Sequence, residues 1–78
     1  MRKKELRLIL TFPSTTDAMA MENYSMRHGI PGRLIPVPTV ISAGCGMCWS
    51  APPEAKEQVQ QAVTAAKLRT EGIFELVI

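Results

Sequence analysis

The stretch Arg33 to Val40, RLIPVPTV, has the composition of a β-strand but carries proline at positions 36 and 38. Proline has no backbone N–H to donate to a sheet ladder, so a strand built from these residues belongs at a sheet edge. A central strand must come from elsewhere in the chain. Leu6 to Phe12, LRLILTF, fits that role, being a dense apolar run of strand formers closed by Pro13. A last strand is expected over Ile73 to Ile78, IFELVI, entered from Gly72. Met47 to Ala51 is expected to return as a partner of the proline-bearing strand.

Two helical patterns separate these runs. Ser14 and Asp17 have the spacing of a capping box, Arg27 and His28 sit late, and Gly29 follows as a left-handed terminator, which predicts a helix over Thr15 to His28. On its helical wheel Ala18, Met21, Tyr24, Ser25 and His28 share the expected inward side, while Met19 and Met26 face away. The second helix follows Pro52 and Pro53, which suit a first turn. Ala55, Val59, Ala62, Val63 and Ala66 form its apolar stripe, with Glu54, Lys56, Glu57, Gln60, Gln61 and Lys67 opposite. A stripe of such small residues predicts close packing against a sheet.

The order strand, helix, strand, strand, helix, strand predicts an α+β domain of the ferredoxin-like βαββαβ plan, an antiparallel sheet with two helices on one face. Residues 1–78 are read as a single small domain. The competing arrangement is βαβαβ, with residues 41–52 forming only a loop. The chain has 78 residues, of which 46% are hydrophobic and 21% charged, and this composition favours a folded domain with a thin core over a disordered segment. A formal charge of +2, with basic residues gathered at Arg2, Lys3, Lys4 and Arg7, is too small for a nucleic-acid partner and reads as a solvated strand entry. No apolar run reaches the roughly 18 residues of a membrane span, and no signal-peptide pattern opens the sequence. The expected location is the cytoplasm, with no membrane partner.

Both cysteines, Cys45 and Cys48, lie in SAGCGMCWSAPP. In a reducing cytosol a structural disulfide is not expected, which leaves a redox pair, a metal site, or one working thiol beside a packed one. A redox CxxC normally opens a helix, whose N-terminus lowers the pKa of the first thiol; here Pro52 and Pro53 delay the helix. In an extended segment Cys45 and Cys48 would also point to opposite faces. Zinc prefers four ligands, whereas one chain offers two cysteines and a distant His28, so no metal site is expected without a dimer. His28 is read as a helix-terminal residue favourable to the dipole. Gly44 and Gly46 remove side-chain bulk on both sides of Cys45, and successive N–H groups in such a turn can form an anion-binding concavity. On the blander reading, the glycines merely turn the hairpin and Cys48 is a packed strand residue.

FPSTTDA at Phe12 to Ala18, GIPGRLIPVP at Gly29 to Pro38 and ISAGCG at Ile41 to Gly46 together resemble the selenium/sulfur carrier protein-like family over nearly the whole chain. The resemblance implies that Cys45, within a site that includes Ser42, Gly44 and Gly46, carries sulfur or selenium as a persulfide or selenide adduct. It implies a relay more than a complete enzyme, without a cofactor. Its partners would be a donor such as a cysteine desulfurase and an acceptor enzyme, and the carrier itself a monomer or homodimer. Cys48 and Trp49 depart from the usual family pattern, so Cys48 enters only as a candidate second thiol. Two other readings stand beside the carrier: a thiol-disulfide redox module using Cys45 and Cys48, and a non-catalytic interaction module docking through Met19, Met26 and Trp49.

Overall fold

A computed structural model describes residues 5–38, 41 and 46–78. Its elements are strand β1 (Leu6–Thr11), helix α1 (Thr15–His28), strands β2 (Arg33–Pro36) and β3 (Met47–Ala51), helix α2 (Lys56–Ala65) and strand β4 (Gly72–Val77). A single 3-10 turn, Pro53–Ala55, leads into α2. The four strands form one sheet in the order β2-β3-β1-β4, antiparallel at every pairing. The arrangement with residues 41–52 as a loop is thereby overturned, because Met47–Ala51 is a strand paired on both sides. β2 lies at an edge as its prolines require, and it ends at Pro36, earlier than the full RLIPVPTV stretch.

β1 is central and buried on both faces. Leu8, Leu10 and Phe12 join Trp49 and Ala51 of β3 in a cluster with Ala18 and Met21 of α1, Ala55, and Val59 and Ala62 of α2. Both helices therefore contribute to the core on one face of the sheet. Alternation sends Ile9 and Thr11 of β1 to the opposite face, where Cys48 and Ser50 join them, all four buried. Burying an aliphatic side chain such as Val59 is worth roughly 1.5–3 kcal/mol. In so small a domain, buried apolar side chains, a dozen of them among the described residues, carry most of the favourable energy.

The ends of α1 follow the sequence pattern closely. The Asp17 backbone N–H donates to Ser14 Oγ at 3.3 Å, and the Ser14 hydroxyl donates to Asp17 Oδ2 at 2.6 Å. Ala18, Met21 and Ser25 face inward and Met19 and Met26 outward, as expected. His28 departs from the expected inward side. It is exposed at the helix end, its ring stacked on Tyr24 with centroids 4.0 Å apart.

The two helices finish with the same geometry on different residues. Gly29 ends α1 at φ 67°, and Ile30 N–H donates to the Ser25 carbonyl at 3.1 Å. Lys67 takes the equivalent place after α2 at φ 53°, with Leu68 N–H donating to the Val63 carbonyl at 3.0 Å and Lys67 N–H to that of Thr64 at 3.3 Å. A Cβ is strained in this left-handed region, so the two positions should respond to substitution with opposite signs. Gly29→Ala is expected to cost about 1 kcal/mol, whereas Lys67→Gly should gain about 0.5–1 kcal/mol. Thermal unfolding of the two variants checks this: the midpoint should fall for the first and rise by a few degrees for the second.

Candidate functional site

The β2–β3 hairpin positions the cysteine segment. Its ladder pairs Ile35 with Cys48 and Pro36 with Met47, and it extends one step further through the Val37 N–H, which donates to the Gly46 carbonyl at 3.0 Å. Beyond this stem the Ile41 N–H donates to the Pro38 carbonyl at 2.9 Å. Gly46 opens β3 at φ 77°, a conformation that favours glycine, and it is exposed. Among the described residues a Cβ placed there would meet no atom within 4 Å, so it is the backbone angle that calls for glycine. Of the site residues read from sequence, Gly46 and Cys48 can be placed; Ser42, Gly44 and Cys45 lie outside the described residues.

Cys48 is fully buried, and its Sγ approaches the Pro36 carbonyl at 4.0 Å. It stands on the sheet face away from the helices, beside Ile35 in the cross-strand register. This is the environment of a packed strand residue. Among the described residues, no three of His, Cys, Asp and Glu come together as a metal-binding group. Nor is any described helix long and apolar enough to cross a membrane.

Trp49, the next residue, turns the other way. Its side chain is buried in the core, and the indole N–H donates to the Pro31 carbonyl at 3.1 Å. That burial removes it from the docking surface expected with Met19 and Met26. A partner would meet the two methionines, 53% and 78% exposed, without the tryptophan. Gly32, at the end of the GIPG turn, leaves room for the ring. At Gly32, φ is 124°, and a Cβ would lie 2.6 Å from the Ser50 carbonyl oxygen and 2.8 Å from Trp49 Cε2.

The family can now be stated. A family model described as "Putative Se/S carrier protein-like" matches residues 7–75. The chain belongs to this family. The match runs from β1 into β4 and so takes in both helices and the whole β2–β3 hairpin with Cys45. No curated protein and no solved structure matches the chain.

One constellation went unread in the sequence. Arg7 Nε donates to Ser50 Oγ at 3.0 Å, and Arg33 pairs directly with Ser50 across the β2–β3 ladder. Arg7 and Arg33 thus share the face opposite the helices with the Ser50 hydroxyl, and all three line one depression there. The signal that could have found them is the period-two alternation of β1, which puts Arg7 on the same side as Ile9 and Thr11.

The Gly32–Trp49 contact makes a sharp prediction. Gly32→Ala combines a disfavoured backbone angle with a collision against backbone and ring, and is expected to destabilise the domain by about 3 kcal/mol or more. Urea unfolding measures the loss, and near-ultraviolet circular dichroism should report a disturbed Trp49 environment.

Proposed function

We propose that this protein is a carrier of sulfur or selenium in the cytoplasm, with Cys45 as the thiol that holds the atom. Family membership supplies the cargo class, and the observation that carries the choice of residue is the contrast between its neighbours. Cys48 is buried in β3 against Pro36, whereas Gly46 is exposed, with no described residue within 4 Å of where its Cβ would stand. A protein partner approaching the hairpin meets no side chain at Gly46. The strand succession and the sheet order, read from the other edge as β4-β1-β3-β2, support the ferredoxin-like plan for the scaffold.

The chemistry is a sulfane exchange. The Cys45 thiolate attacks the terminal sulfur of a donor persulfide, such as the one formed on a cysteine desulfurase. A new S–S bond forms to Cys45, the donor's S–S bond breaks, and the donor thiolate leaves with the electron pair. Passage to an acceptor enzyme's thiolate repeats the exchange in the forward direction and returns Cys45 as thiolate. A selenium atom follows the same course from a donor perselenide, whose S–Se bond breaks as the Cys45 S–Se bond forms and the donor thiolate leaves.

Mass spectrometry tests the assignment. After incubation with a cysteine desulfurase and cysteine, intact protein should gain the mass of one sulfur atom, and reductant should remove it. The gain is expected to persist in Cys48→Ala and to vanish in Cys45→Ala. A gain that instead depends on Cys48, or no gain at all, would contradict the proposal.

A further inference from the structure

The face of the sheet opposite the helices carries an open depression of about 750 Å³ that is lined by Arg7, Arg33, Ser50, Ile35 and Pro36, with Glu5 also on its wall. We propose that it binds a small oxyanion, either free or as the head group of a small organic molecule. The inference does not depend on the chemistry assigned to Cys45.

Three observations support it. First, two arginines line one concavity, and among the described residues neither forms an ion pair; the salt bridge found among those residues lies elsewhere, between Lys56 and Glu75 at 3.8 Å. Two like charges held in one hollow repel each other, and an anion between them removes that repulsion. Second, Arg7 is oriented. Its Nε donates to Ser50 Oγ at 3.0 Å, which leaves its terminal amino groups without a protein partner among the described residues. A guanidinium held in this way offers a fork that matches an oxyanion with two parallel hydrogen bonds. Third, the wall is mixed. Ile35 and Pro36 stand beside the arginines and give a carbon skeleton an apolar surface to rest on.

Glu5 supplies a control. Its backbone is fixed by reciprocal hydrogen bonds with Ile78, at 3.1 and 3.0 Å, while its exposed carboxylate adds negative charge to the wall. Removing that charge should strengthen anion binding without disturbing the strand pairing.

The experiment is a proton–nitrogen NMR titration of the full chain, at constant ionic strength, with inorganic phosphate and in parallel with butyl phosphate. Saturable shifts are expected at the backbone amides of Arg7, Arg33 and Ser50 and at Arg7 Nε–H. Arg33→Gln and Arg7→Gln should each weaken binding about tenfold or more. Glu5→Gln should tighten it by a few fold. The Arg33 side chain, unlike that of Arg7, makes no hydrogen bond among the described residues, so its variant leaves the backbone ladder intact and tests binding even if Arg7→Gln proves unstable. Tighter binding of butyl phosphate identifies an organic anion as the ligand; equal or weaker binding identifies a free inorganic one. Shifts that fail to saturate, or that survive unchanged in Arg33→Gln, would overturn the proposal.

Discussion

Trp49 has one place to go in this structure, and the register of β3 follows from it. The indole is buried against the helical layer, its N–H is spent on the Pro31 carbonyl at 3.1 Å, and Gly32 alone can pass beside the ring. A slip of one residue in β3 would turn the indole out of the core and strand its N–H. Because side chains alternate along a strand, fixing Trp49 toward the helices fixes Cys48 and Ser50 toward the other face. The same constraint therefore packs away one of the two cysteines and sets the hydroxyl that Arg7 grips. Core packing and the candidate chemistry are two consequences of one register.

Much of this was legible in the chain because it is local. Prolines 36 and 38 demand an edge, and β2 lies there; the Ser14–Asp17 pair and Gly29 bracket α1; of the small-residue stripe, Ala55, Val59 and Ala62 lie in the core and Val63 packs against it, while Ala66 falls just past the end of α2. What was not legible depends on residues distant in sequence. Trp49 read as a docking residue because nothing near it in the chain reveals that Pro31 and Gly32 form its pocket. His28 fell on the inward side of a helical wheel, but α1 ends there and the ring stacks on Tyr24 in solvent. Arg7 looked like part of a solvated basic cluster until cross-strand pairing brought it to Ser50 and Arg33. Lys67 gave no sign of a helix terminus, since sequence signals for that geometry rest on glycine.

The CxxC spacing itself proves a weaker guide than its surroundings. Cys48 is held in the body of β3 with the Pro36 carbonyl at 4.0 Å, and Gly46, two residues before it, is exposed in a left-handed turn. Of the two thiols, Cys48 is therefore the packed one, and under the proposed carrier role Cys45 is the one that partners must reach. A buried neighbour in the strand serves the fold.

That division can be measured directly by native-state alkylation. Folded protein is exposed briefly to iodoacetamide, quenched, digested and mapped by peptide mass, with a denatured sample as reference. The account predicts fast modification of Cys45 and protection of Cys48 until the domain unfolds. Equal rates at both cysteines in the folded protein, or faster modification of Cys48, would contradict it.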